Sequence, residues 1–133
     1  MSTVFLDTVG MIAVWDTTDQ WHSAAAEAYQ RILAQGRQLV TTGLILIECG
    51  NASARRPYRS RVNVLRKLME QEGMLIEPTP SEMEEAWAAD DRGEAAQAGI
   101  VDHVSFVVMR RLGLTEAFTN DRHFRAAGFT VLF

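Results

Sequence analysis

The stretch TVFLDTVGMIAVW, residues 3–15, is apolar on both sides of a single aspartate, Asp7. Its opening, residues 3–6, is short, β-branched and aromatic, and apolar without alternation, the pattern of a strand covered on both faces. Such a strand belongs in the middle of a parallel sheet. Directly after it comes the carboxylate. Taking an ionised carboxylate out of water costs several kcal/mol even after relaxation, so Asp7 needs a partner, either a basic side chain or a cation.

Outward from this strand, helical and extended segments alternate. HSAAAEAYQRILAQG (22–36) places Ala25, Ala28, Tyr29 and Ile32 at helical spacing and stops at Gly36. RQLVT (37–41) reads as a second strand. TGLILIECGNASARRP (42–57) predicts a helix from about Leu44 until Pro57 breaks it, with Leu44, Ile45 and Ala52 on the face of Glu48. RVNVLRKLMEQEG (61–73) places Val62, Leu65, Leu68 and Met69 on one face. MLIEP (74–78) is a third strand, and Ser81 stands three residues before Glu84 at capping-box spacing. VDHVSFVVMRRLG (101–113) repeats Val101, Val104, Val108 and Leu112, and strands follow at EAFT (116–119) and FTVLF (129–133). This alternation predicts an α/β sandwich around a mostly parallel sheet.

The 133 residues are the length of one domain, so one site is expected. A hydrophobic share of 47% with 23% charged residues is an ordinary globular balance, without low-complexity segments or repeats. The net charge of −4 argues against a broadly basic nucleic-acid-binding surface. No apolar run approaches the roughly 18 residues of a spanning helix, and no signal-type stretch opens the chain. A cytoplasmic protein without a membrane partner is expected, and the single Cys49 fits a reducing compartment.

In open parallel sheets, ligands bind beyond the carboxyl ends of the strands. Asp7 follows the first strand and Asp121 follows EAFT. Asp102 falls in the first turn of its helix, and Glu48 lies in the helix after the second strand. Taken singly, Asp102 is a favourable acid at a helix start and Asp121 a turn residue. Together, four acids from distant parts of the chain can converge on one edge. Unpaired, they would repel and raise one another's pKa, whereas a hard divalent cation such as magnesium or manganese would hold them together. Such a site suits phosphate-ester chemistry. Other strand-end chemistries fit less well. Lys67 is the only lysine and lies within a helix, not after a late strand as a phospho-receiver needs, and Asp7-Thr8-Val9 is not the DxD of a haloacid-dehalogenase-like phosphatase. No P-loop, GxGxxG, nucleophile elbow, CxxC or HExxH occurs.

FLDT (5–8), LIECGN (46–51) and VDHVSFVVMRRLGLTEAFTNDRHFRAAGF (101–129) together resemble the PIN-domain ribonucleases, and within them the VapC-type toxins of bacterial toxin–antitoxin pairs. The resemblance runs nearly end to end and implies a single PIN-like domain over 1–133, folded as a three-layer α/β/α sandwich. It implies that Asp7, Glu48, Asp102 and Asp121 bind Mg²⁺ or Mn²⁺ and carry catalysis, with Thr8, Asn51, Ser105 and Thr119 as polar neighbours of ligands or substrate. It further implies an endoribonuclease neutralised by a cognate antitoxin, and a homodimer. Ile100 and Val101 before Asp102, and His103 after it, depart from the family pattern; the missing hydroxyls weaken support of Asp102, and His103 can alter substrate fit.

Arg55, Arg56, Arg59 and Arg61 gather around Tyr58 just beyond the Glu48 helix. They can grip RNA phosphates, meet an acidic antitoxin tail, or simply form a solvated loop. His22 and His123 receive no catalytic role. Two other functions stand beside the nuclease: an inactive PIN module that works through an antitoxin-like partner, and a small phosphatase active on monoesters.

Overall fold

Val4, Phe5 and Leu6 are fully buried, and the strand they form, β1 (Val4–Leu6), pairs on both sides. The computed structural model describes residues 2–133. In chain order the elements are β1, α1 (Thr8–Trp15), α2 (His22–Ala34), β2 (Leu39–Thr42), α3 (Gly43–Ser53), α4 (Arg59–Gln71), β3 (Leu75–Ile76), α5 (Pro80–Asp91), the short turn α6 (Glu94–Gln97), α7 (Ile100–Arg111), β4 (Glu116–Phe118), α8 (Arg122–Ala126) and β5 (Thr130–Val131). The sheet is parallel throughout, in the order β3-β2-β1-β4-β5. The chain builds outward from β1 to β3, then returns to β4 on the other side of β1. Helices α1 to α4 pack among themselves, as do α5 to α8, giving the outer layers of an α/β/α sandwich.

That strand order creates a switch point between β1 and β4, where the connections leave in opposite directions and a crevice opens at the carboxyl edge. The core beneath it is aromatic. Phe106 meets Phe124 edge to face at 4.9 Å, and Phe118 packs against Tyr29 at 5.3 Å.

Local details differ from the sequence expectations in five places. Helix α1 follows β1 after the single residue Asp7; Gly10, Met11 and Ala13 are buried in it while Ile12, Val14 and Trp15 are half-covered, so no amphipathic stripe announces it. Helix α3 ends at Ser53 rather than near Pro57, and the Arg59 guanidinium donates to the Ala54 carbonyl at 2.9 Å just beyond that end. On α4, Leu68 is 49% exposed, away from the core face that holds Leu65 and Met69. On α3, Ala52 is exposed.

The capping box of α5 lies two residues earlier than Ser81 and Glu84. The Thr79 hydroxyl accepts from the Glu82 amide at 3.1 Å, and Glu82 Oε1 accepts from the Thr79 amide at 2.8 Å, with Pro80 in the first turn. The Arg111 guanidinium also donates to Glu82 Oε2 at 2.6 Å, tying α5 to α7. Thr79→Ala is therefore expected to lower stability by about 1 kcal/mol, whereas Ser81→Ala changes little. Urea midpoints of the two variants decide which box is real.

Candidate active site

Asp7 is 2% exposed, although no lysine or arginine pairs with it among the described residues. It caps α1, accepting from the Val9 amide at 3.4 Å, and accepts from the Thr119 hydroxyl at 2.8 Å. Thr119 in turn accepts from the Asp121 amide at 3.1 Å, so one buried threonine links the end of β1 to the start of α8. Burial pushes the Asp7 carboxyl up to about 7, and the negative charges of Asp102, Asp121 and Glu48 raise it further against the lowering bond from Thr119.

Asp102 stands in the first turn of α7. Burial and the charges of Asp121 and Glu48 push it up to about 6, with His123 acting in the opposite direction. The half-buried Glu48, on α3, accepts from the Thr8 hydroxyl at 2.6 Å, which joins the Asp7 loop to α3. Asp121 caps α8, where its Oδ1 meets the His123 amide at 2.9 Å and His123 Nδ1 at 2.6 Å. Four acids from four elements thus feel one another at the switch point between β1 and β4.

The other residues singled out in the sequence divide. Thr8 and Thr119 hold carboxylates. Asn51 is exposed on α3, and the buried Ser105 donates to the Val101 carbonyl of its own helix at 3.0 Å; neither hydrogen-bonds any of the four acids. His103 is turned away from them. Buried at 3% exposure, it lies edge-on to Phe106 and beside a cavity of about 260 Å³ bordered by Ala95, Arg110 and Ala127. Its expected effect on substrate fit is therefore replaced by a place in the packing between α7 and α8. Cys49 is also buried, which pushes its thiol up to about 12 and leaves it unreactive.

His123 joins the site, which sequence reasoning did not anticipate. It and the carboxylates of Asp102 and Asp121 present ligand atoms within 4.8 Å of one another. The signal was its place two residues after Asp121, where the Asx-type cap turns the imidazole back onto the carboxylate. The donor set, oxygen-rich and negatively charged with one imidazole, is of the kind hard divalent cations accept.

The family model described as PIN domain matches residues 4–130. The chain belongs to the PIN domain family. Among solved structures this PIN chain is similar to VapC20 of Mycobacterium tuberculosis, described as a sarcin-ricin loop cleaving toxin, with 27% identity over 96% of each chain and a TM-score of 0.77. That likeness places it with the VapC-type members. It also shares its fold with FitAcB of Neisseria gonorrhoeae (16% identity, 98% of this chain and 96% of that one, TM-score 0.63) and PAE2754 of Pyrobaculum aerophilum (22%, 99% and 92%, 0.57). Comparison with curated protein sequences gives no match. No helix among the described residues is long and apolar enough to cross a membrane.

Proposed function

We propose that this PIN protein is a metal-dependent endoribonuclease, the toxin of a toxin–antitoxin pair, acting in the cytoplasm as one domain spanning residues 1–133. The observation that carries it is the convergence of Asp7, Glu48, Asp102 and Asp121 without a lysine or arginine partner among the described residues. An acidic cluster built around the buried Asp7, with the other three acids half-covered, is costly alone and is relieved by a cation. Mg²⁺ or Mn²⁺ held by these acids would supply charge stabilisation at the phosphoryl oxygens and lower the pKa of water. The residues do the positioning. Thr119 and the Val9 amide fix Asp7, Thr8 fixes Glu48 through Oε1, and His123 fixes Asp121. Glu48 Oε2 takes the proton of the water that attacks phosphorus in line, as the opposite bond from phosphorus to the ribose oxygen breaks and that oxygen takes up a proton from solvent.

The relative that cleaves the sarcin-ricin loop supports RNA as substrate class. An antitoxin partner is supported by an apolar groove of about 500 Å³ between α1, α2 and α4, whose rim leaves Val64 68% exposed. A homodimer is supported by a second apolar patch, with Ile47 62% exposed beside Leu44 and Met83. Those surfaces also serve the second reading, an inactive PIN module that acts through its partner.

The direct test is cleavage of structured RNA by purified protein in Mn²⁺ or Mg²⁺, alongside identically prepared Asp102→Asn and an EDTA control. Cutting by wild type alone supports the nuclease. Equal behaviour of wild type and variant across a range of RNAs favours the binding module instead.

Cation binding should also be strongly pH-dependent. With Asp7 near 7 and Asp102 near 6, both are largely protonated at pH 5.5 and ionised at pH 8, so protons compete with the cation at low pH. Calorimetric titration with Mn²⁺ is expected to show at least ~10-fold tighter binding at pH 8 than at pH 5.5, with protons released near pH 6 to 7. Equal affinity at both values would contradict the ligand assignment.

A further inference from the structure

The arginines that follow α3 have separate fates in the fold. Arg59 caps the helix end, whereas Arg56 and Arg61 border a cleft of about 410 Å³ with Trp15, Asp16 and Tyr58. Its walls grow from the site already described. Thr8 touches Glu48 near the start of α1, and Trp15, the last residue of α1, faces Tyr58 beyond the end of α3 with ring centroids 6.4 Å apart. Seven helical steps lead from Thr8 to Trp15, so the cleft lies about 10 Å along α1 from the acidic cluster.

Its chemistry is mixed. The half-covered Trp15 ring offers an apolar face, backed by Tyr58, which is only 9% exposed, and two exposed guanidinium groups offer charge on a chain whose net charge is −4. Asp16 supplies a fixed acceptor: its Oδ1 is held by the Thr18 amide at 2.9 Å and the Thr18 hydroxyl at 2.6 Å, and Oδ2 has no protein donor among the described residues. An acidic peptide would be drawn by the arginines and repelled by Asp16. A nucleotide satisfies all of them, because phosphates suit guanidinium groups, a base stacks on the Trp15 ring, and an exocyclic amine donates to a carboxylate, where the N3–H of uracil lies between two carbonyl oxygens that repel it.

We infer that the cleft formed by Trp15, Asp16, Arg56, Tyr58 and Arg61 is an RNA subsite that takes an unpaired base carrying an exocyclic amine, in preference to uracil, at a nucleotide removed from the scissile bond. This rests on the nuclease reading for its substrate class. The subsite sets which RNA is cut rather than how it is cut.

The test reads binding, so it is independent of cleavage. Asp102→Asn protein in Mg²⁺ is titrated with end-labelled eight-nucleotide RNAs, one all uridine and the others with a single cytidine at successive positions. Cytidine at one position is expected to tighten binding about tenfold, within the range of a single base contact. Adding Asp16→Asn, which keeps the turn, or Trp15→Leu should erase that gain. Arg56→Gln and Arg61→Gln should each lower the slope of log affinity against log salt by about 0.7. If Asp16→Asn, with an unchanged melting temperature, leaves the cytidine preference intact, or if no position shows one, the subsite is wrong. A cleft whose variants alter capture of an acidic peptide but not of RNA would also overturn it, assigning the surface to a protein partner. Failure of wild type to cut RNA sinks the nuclease reading alone.

Discussion

In EDTA at pH 8, Asp7→Asn is expected to melt above the wild type by several degrees while losing metal binding and all nuclease activity. The sign follows from the carboxyl pushed up to about 7 from an ordinary 3.8. For an acid raised in the folded state, the stabilising contribution is full below the unfolded value and is lost as pH rises through the folded one. Metal-free wild type should thus weaken between about pH 4 and pH 7. A rise of about three pKa units sets a ceiling of about 4 kcal/mol, and relaxation of the empty cluster reduces the expected gain to roughly 2 kcal/mol. Asparagine keeps the geometry, since it caps a helix as well as aspartate and still accepts from Thr119.

The cation reverses the order. Saturating Mn²⁺ stabilises whatever binds it in the native state, so wild type gains and Asp7→Asn does not. Thermal melts at pH 5 and pH 8, with EDTA and with Mn²⁺, make four comparisons. A variant that melts below wild type at pH 8 in EDTA would mean that the Asp7 charge is already compensated within the protein, and the case for a cation would lose its main support.

Much of this site was legible because it used extremes. Asp7 in an apolar run is conspicuous in any sequence, and an unalternating apolar triplet at residues 4–6 has few structural explanations besides a central strand. The four acids could be placed at one edge because parallel strands all point the same way. The strand order was not legible. Nothing local says that β4 returns to the far side of β1, yet that return is what brings Thr119 onto Asp7 across 112 positions of sequence. His103 and His123 show the same limit in reverse. Close to acids in the sequence, one faces the packing between α7 and α8 and the other faces the site, a difference decided by helix phase.

Helix α1 was hidden for a physical reason that leads to the sharpest stability test. Its covering is nearly all-round because it packs against both α2 and α3, and at Gly10 its backbone also approaches the end of β4. A Cβ added to Gly10 would stand 2.1 Å from the Phe118 carbonyl oxygen and 2.6 Å from Phe118 Cδ2. The same carbonyl accepts from the Asp7 amide at 3.4 Å, and the next residue is Thr119, whose hydroxyl holds the Asp7 carboxylate. Gly10→Ala must therefore push the end of β4 away from α1, separating the two halves of the acidic cluster. The expected cost is about 3 kcal/mol in urea unfolding, with Mn²⁺ affinity and RNA cleavage lost even in the folded fraction. Intrinsic helix propensity predicts the opposite sign, a gain of about 1 kcal/mol for replacing glycine by alanine within a helix. At Gly50, inside α3, a Cβ would meet nothing within 4 Å, so Gly50→Ala should show that gain. Opposite signs at the two glycines would establish that close backbone contact between α1 and β4 positions the site; two gains of similar size would refute it.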